Sequence, residues 1–306
     1  MRTSDRLWAT AFVVLWSSGF IGAELATRHA SALTVLNWRF LLLAGPALAW
    51  IAWRGRWRRY TARDVGVHVL VGALAQVGYL YGVVMAAQLG VGSGTTALIA
   101  SLQPVVTAAA AYLVLGERVR AAQMLGLAIG FGGVALVISA DYAGGDAALW
   151  AYALPVAAML SLVAATVLER RTRPRSLGQL DALAVQFLTT ASAFAAISAA
   201  FGEFAPAPTS GFWLSVAWMT VLAGVGGYGT YWVVVRRNGA TVAATLLYFT
   251  PPATMLWAWA MFGDELSGLA WAGLAVTAVG VAFAIGRGRR NEEPSVSRGP
   301  RIGARA

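Results

Sequence analysis

Apolar stretches of about 20 residues recur along the chain, separated by short segments rich in arginine, glycine and proline. An α-helix rises 1.5 Å per residue, so a stretch of about 20 apolar residues can cross a hydrocarbon core about 30 Å thick. Ten such stretches can be placed, at residues 7–25, 33–53, 65–87, 95–115, 121–139, 149–168, 180–201, 212–235, 242–262 and 269–285. The pattern predicts an all-α integral membrane protein with ten transmembrane helices.

The second half of the chain repeats the first. A shift of 147 positions aligns Pro104 with Pro251 and Gly116 with Gly263 without a gap, and 12 of the 44 positions in 92–135 match 239–282. Five helices per copy is an odd number, so the second copy must enter the membrane in the opposite sense. The chain is therefore expected to form two inverted five-helix repeats, residues 1–147 and 148–286, an architecture typical of secondary transporters.

The arginines indicate how the chain is oriented in the membrane. Every basic residue is an arginine, and all of the 23 except Arg28 and Arg39 fall on one side of the ten predicted helices, together with both termini. Loops rich in arginine stay in the cytoplasm, so both termini are expected there. Residues 287–306, which are polar and rich in arginine, proline and glycine, are expected to form a disordered cytoplasmic tail.

Composition agrees with a membrane protein. Hydrophobic residues make up 58% of the chain and charged residues 12%, whereas about a quarter of an ordinary soluble domain is charged. In a soluble chain a net charge of +10 would suggest a nucleic-acid partner. Here the arginines on the predicted cytoplasmic side account for the charge. The expected partners are the lipid bilayer and a small-molecule substrate, not nucleic acid, and both a monomer and a homodimer stay open. The chain has no cysteine, which excludes disulfide and thiolate chemistry.

Several motifs resemble a known family. They are the LWSSGF run at residues 15–20, the LNWRFLLLA run at residues 36–44, and the two proline-centred helices that end in Gly-Glu and Gly-Asp-Glu. Together with the repeat they resemble the EamA family of the drug/metabolite transporter superfamily over residues 7–285, with amino-acid exporters as the nearest type. The resemblance implies export of small metabolites, commonly amino acids or their analogues, across the inner (plasma) membrane by alternating access. It also implies a cavity between the two halves. The chain departs from the family in having Gln186 where the first repeat has Arg39, and two prolines at 251–252.

Polar and aromatic side chains inside the predicted helices are the candidate substrate contacts. Gln103 and Thr250 each precede the central proline of their helix, Pro104 or Pro251, so they are expected to flank the substrate near the midplane. The other neutral or aromatic candidates are Trp16, Ser17, Gln76, Tyr79, Tyr81, Ser101, Ser161, Tyr228 and Tyr248. Each also has an alternative role in helix packing or at the lipid interface.

Arg39 is the only charged residue well inside a predicted helix. Ionisable groups in a membrane are costly and are usually retained for function, so Arg39 is a candidate partner for a substrate carboxylate. It is equally a candidate hydrogen-bond donor that holds neighbouring helices together. The sequence leaves both roles open.

Catalysis is not expected from this sequence. No aspartate or glutamate lies in the middle of a predicted helix, and His29 and His68 lie near helix ends on opposite sides, so no catalytic residue, metal site or cofactor is expected. The lack of a carboxylate in the middle of any predicted helix also favours facilitated diffusion or exchange over proton coupling. The alternatives to an amino-acid exporter are a carrier of nucleotide sugars, drugs or lipid-linked cargo, then a channel, then an intramembrane enzyme.

Overall fold

The computed structural model describes residues 3–55, 60–116, 121–264 and 267–286, and these residues contain helices and no strand. The helices are α1 Thr3–Thr27, α2 Ala32–Arg54, α3 Ala62–Gln88, α4 Ser93–Leu115, α5 Ala121–Gly144, α6 Leu149–Thr172, α7 Gln179–Ala200, α8 Ser210–Asn238, α9 at 240–262 and α10 Gly268–Gly286. The first eight are long and apolar enough to cross a membrane, α9 contains a break, and the apolar part of α10 is shorter. The all-α membrane fold predicted from the sequence is confirmed, while the predicted tail at 287–306 lies outside the described residues.

Helix ends follow the turn chemistry of the sequence. Ser31 caps α2 by accepting a hydrogen bond from the backbone N–H of Thr34 at 3.2 Å. Gly116 and Gly263, which are equivalent in the two repeats, end α4 and α9 with φ of 69° and 77°. Only glycine adopts this left-handed conformation readily, so these two positions stop their helices at matching points.

The prolines lie at breaks within α4 and α9. In α4 a turn at Leu102 separates the segments Ser93–Ser101 and Gln103–Leu115, and in α9 a 3₁₀ turn at Leu247–Phe249 precedes Thr250–Phe262. Pro104 and Pro251 therefore stand in the first turn of the second segment, where a missing backbone N–H costs little.

Two wider π-helical segments interrupt α3 and α8. They span Ala73–Gly78 and Trp218–Gly227. The shift of 147 positions places residues 73–78 on 220–225, so the irregularity recurs at the same place in both repeats. Segments of this kind are rare in proteins, and those that occur are often found at functional sites.

Helices α5 and α10 cross closely in antiparallel directions. A Cβ placed on Gly133 would lie 2.6 Å from the carbonyl oxygen of Gly273, and one on Gly280 would lie 2.6 Å from that of Gly126. Under the shift of 147, Gly126 corresponds to Gly273 and Gly133 to Gly280, so each contact is the counterpart of the other. A pseudo-two-fold axis that relates two inverted repeats produces such a pair of equivalent contacts.

Candidate functional site

A central cavity of about 690 Å³ lies between α2, α3, α7 and α8. Each repeat thus contributes two helices to its wall. Phe40 and Phe187, which are equivalent in the two repeats, both line it, and their ring centroids are 6.2 Å apart. The cavity therefore lies at the junction of the repeats, and its size is in the range usual for small organic ligands.

The two π-helical segments form part of the cavity wall. Ala75 and Gln76 come from the segment in α3, and Gly224 and Val225 come from the segment in α8. A π-turn carries one extra residue and shifts the side chains that follow it around the helix. Tyr79 and Tyr228, which directly follow the two segments, both line the cavity.

Arg39 reaches the cavity from α2 and is buried, with 7% of its surface exposed. Its Nε atom has no hydrogen-bond partner among the described residues, and no described carboxylate lies within 4.0 Å of its guanidinium. The guanidinium carbon lies 5.6 Å from the ring centroid of Phe40, which gives weak cation–π stabilisation. A cation that is buried without an anion is costly, so a negatively charged ligand would stabilise this arrangement.

Gln76 belongs to a buried polar network at the cavity wall. Its Nε2 donates to Oε1 of Gln186 at 3.2 Å, and its Oε1 accepts from the Thr190 hydroxyl at 3.1 Å. Nε2 of Gln186 is also 3.5 Å from Nδ1 of His68. The network links α3 to α7, and it holds Gln76 in place beside the cavity.

Aromatic rings supply the apolar part of the wall. Tyr79, Tyr228 and Trp232 line the cavity. Trp16 of α1 packs behind Tyr228, with ring centroids 5.4 Å apart, and against Tyr231 at 5.9 Å. Such rings present a flat apolar surface with hydroxyl groups at the edge, which suits a modestly polar organic molecule.

A second cavity, the acidic vestibule, of about 650 Å³, opens between the ends of α1, α3, α4, α5, α9 and α10. Glu24, Asp141 and Asp264 line it together with Arg28, which pairs with Glu24 at 3.0 Å. Burial raises the pKa of the Asp264 carboxyl, and the nearby charge of Asp141 raises it further, while Arg28 lowers it. These three acids lie far apart in the sequence, and the fold brings them to one cavity.

Comparison with known proteins gives the family. The EamA-like transporter family matches the chain twice, at residues 5–139 and 149–286. The chain belongs to this family. The two matches agree with a two-repeat fold, and the resemblance inferred from the sequence is confirmed.

The EamA relatives include proteins named as exporters. A protein of Streptantibioticus cattleyicolor named "Probable terminal-alkyne amino-acid exporter" is 28% identical over 97% of this chain and 100% of its own length. A Salmonella typhimurium protein named "Probable amino-acid metabolite efflux pump" is 25% identical over 92% of this chain and 94% of its own length. A solved crystal structure, 21% identical, covers 95% of this chain and 100% of its own with a TM-score of 0.62, which shows a shared fold.

The EamA fold brings together some of the residues singled out in the sequence and separates others. Arg39, Gln76, Tyr79 and Tyr228 line the central cavity, and Trp16 contacts one of them. The hydroxyls of Ser17, Ser101, Ser161 and Thr250 donate to the backbone carbonyls of Thr250, Leu98, Leu74 and Leu247. Tyr81 and Tyr248 pack against hydrophobic clusters, and Gln103, Pro104 and Pro251 stand where their helices break.

The expected site between Gln103 and Thr250 is thus not the central cavity, because neither residue lines it. Sequence reasoning also missed Phe40, Trp232, Gly224 and Arg236 as cavity residues. The GVGGYG run at 224–229 was a usable signal, since it lies opposite residues 77–82 of the first repeat.

Proposed function

We propose that this protein exports amino acids or closely related small metabolites from the cytoplasm by alternating access, with the substrate bound in the central cavity. The observation that carries the proposal is the cavity itself, which lies between the two repeats and contains a buried arginine without a counter-ion. The names of two relatives that match nearly the whole chain support amino-acid substrates. Multi-pass membrane insertion follows from the helices and the family.

The unequal environments of repeat-related residues support alternating access. On α2 and α3, Leu33, Leu36 and Met85 pack in or against the largest hydrophobic cluster. Their counterparts 147 positions later, Leu180, Leu183 and Trp232, line the central cavity instead. At the end that holds the second cavity, α2 and α3 are therefore packed against the core, whereas the equivalent end, between α7 and α8, is open to the central cavity. An exchange of the two arrangements between the repeats would move the opening across the membrane.

The open end faces the cytoplasm if both termini are cytoplasmic, as the arginine distribution supports. On this proposal, residues 1–147 and 148–286 are the two repeats, and the acidic vestibule with Asp141 and Asp264 faces away from the cytoplasm in the cell's inner (plasma) membrane. An impermeant thiol reagent should label Ala143→Cys from the outside and Ala62→Cys only after lysis.

The cavity also supports exchange or facilitated diffusion. Within the described part of the chain, no aspartate or glutamate lines the central cavity, so it offers no carboxylate to carry a proton with the substrate. The same lining lacks a nucleophile beside a base, which favours a carrier over an enzyme. Among the described residues no group of three histidine or acidic side chains could hold a metal ion.

Counterflow in liposomes tests the proposal. Vesicles containing the purified protein are loaded with one unlabelled amino acid, and uptake of the same labelled compound is followed across a panel that includes L-propargylglycine, which carries a terminal alkyne. A carrier produces transient, saturable accumulation of label, because exchange is faster than net loss. A channel lets the label equilibrate without accumulation. Counterflow only with nucleotide sugars, drugs or lipid-linked compounds would replace the amino-acid assignment, and no counterflow with any of them would reject it.

A further inference from the structure

We infer that the central cavity recognises its substrate through a carboxylate and does not require a free ammonium group, so that carboxylates with net negative charge bind better than zwitterions. This inference rests on the proposed function, because it assumes that the central cavity is the transport site. It goes beyond that function by naming the charge of the preferred substrate.

The charges around the cavity are unbalanced. Arg39 lies at its buried end, Arg236 lines it at the cytoplasmic end of α8, and no carboxylate lines it within the described residues. The nearest acid along α7, Asp181, is already used, since it accepts from Nε1 of Trp50 at 2.9 Å and lies 3.8 Å from Nε of Arg54. The cavity therefore carries one buried positive charge, on Arg39, that no described residue lining it neutralises, and a second positive charge at the exposed Arg236.

Arg39 fits an anion better than it fits a purely structural role. A structural arginine uses its five donors on carbonyl or carboxylate oxygens of its neighbours. Here Nε is buried with no described partner, and the side chain faces a cavity large enough for an organic ligand. A planar carboxylate can accept two parallel hydrogen bonds from a guanidinium, so a substrate carboxylate would satisfy it.

The cavity offers little to a substrate ammonium group. Gln76 and Gln179 offer an ammonium only neutral amide oxygens, and Oε1 of Gln76 already accepts one hydrogen bond from Thr190. A neutral oxygen binds an ammonium more weakly than a carboxylate does. The rings of Tyr79 and Tyr228 could attract a cation, yet both belong to the same cavity as the unpaired Arg39. Like charges in a partly desolvated site repel each other, so the amino group of a zwitterion would offset part of the gain from its carboxylate.

Three related probes separate these contributions. L-Phenylalanine is a zwitterion, N-acetyl-L-phenylalanine keeps only the carboxylate, and L-phenylalaninamide keeps only the ammonium, while all three share one aromatic side chain for the tyrosine wall. Binding titrations and competition in counterflow are run on the full-length protein in liposomes. We expect N-acetylphenylalanine to bind about tenfold more tightly than phenylalanine, and phenylalaninamide about tenfold more weakly, each factor corresponding to about 1.4 kcal/mol.

Variants of Arg39 test whether that residue sets the order. Arg39→Gln should remove the preference for N-acetylphenylalanine over phenylalaninamide, and Arg39→Lys should keep part of it because the charge remains. Arg170→Gln, at an exposed position on α6, is the matched control and should keep the order of the native protein. The order measured on the native protein tests the inference even if Arg39→Gln does not fold.

The outcomes separate this inference from the proposed function. Phenylalanine binding more tightly than N-acetylphenylalanine, or phenylalaninamide binding as well as phenylalanine, would overturn the inference while leaving an amino-acid carrier in place. Unchanged selectivity in a folded Arg39→Gln variant would overturn the role of Arg39. If the native protein binds none of the three probes and shows no counterflow with the amino-acid panel, both the inference and the proposed function fail.

Discussion

Asp264, in the acidic vestibule, is the residue from which a pH-dependent stability follows most directly. Its pKa is raised by burial and by the charge of Asp141, so the folded state holds its proton to higher pH than the unfolded chain does. A raised carboxyl pKa means that the free energy of unfolding falls as pH rises from the unfolded pKa to the folded one. Above that window the charged form of Asp264 destabilises the fold.

We therefore expect Asp264→Asn to raise the thermal unfolding temperature at pH 7 and to lose this advantage as pH falls toward about 4, near the ordinary carboxyl pKa. Thermal unfolding of the detergent-purified protein across this range measures the effect. Asp146→Asn, an exposed acid in the loop between α5 and α6, is the matched control and should change little. A lower unfolding temperature for Asp264→Asn at pH 7 would show that its charge is stabilising.

At the scale of residues, the sequence identifies which side chains are polar inside the membrane but not where they point. Arg39 could be singled out because a charge within an apolar stretch is unmistakable. The partners of Gln76 could not be predicted, because Gln186 and Thr190 lie more than 100 positions away along the chain. Thr250 looked equally promising, yet its hydroxyl donates to Leu247 in its own helix, a bond that serines and threonines in apolar helices commonly form.

At the scale of helices, the contact between α5 and α10 depends on glycine at defined positions. A Cβ on Gly133 would lie 2.5 Å from the backbone nitrogen of Thr277 and 2.6 Å from the carbonyl oxygen of Gly273. Both are backbone atoms, so the helices would have to separate. The neighbouring Gly132 has no such atom within 4 Å.

We expect Gly133→Ala to destabilise the protein by about 1–3 kcal/mol, the usual cost of overpacking. Gly132→Ala is a matched control on the same helix and should be neutral or slightly stabilising, since alanine favours a helix by about 1 kcal/mol over glycine. Unfolding of the two purified variants in denaturing detergent mixtures, compared with the native protein, gives the difference. Equal stability of the two variants would mean that α5 and α10 do not pack as closely as described.

At the scale of helices, hydropathy predicts where the helices lie but not where they are irregular. Apolar length identified the helices, and Gly116 and Gly263 marked two of their ends because glycine tolerates a positive φ. The π-helical segments in α3 and α8 have no comparable sequence signal, since a π-turn is a rare local change in helical hydrogen bonding that hydropathy does not register. The central cavity, which these segments line, could therefore be expected between the repeats but not assigned to α2, α3, α7 and α8.

At the scale of the whole molecule, the inverted repeats predict the second state of the transport cycle. In the structure the backbone N–H of Ala32 donates to Oε1 of Gln88 at 2.6 Å, which ties α2 to α3 at the end where both helices pack against the core. The equivalent residues 147 positions later are Gln179 and Val235, at the ends of α7 and α8 that flank the open cavity. If the repeats exchange conformations, closing one pair opens the other.

Cross-linking tests this exchange without background, because the chain has no cysteine. We expect Ala32→Cys/Gln88→Cys to react readily with a short bifunctional thiol reagent in the state described, and Gln179→Cys/Val235→Cys to react slowly. In a protein that carries both pairs, the first cross-link should lower the yield of the second, since one state cannot satisfy both. Either cross-link should abolish counterflow, and reduction of a cleavable reagent should restore it. If both cross-links form together in high yield and transport continues, the two ends do not alternate and the carrier works in another way.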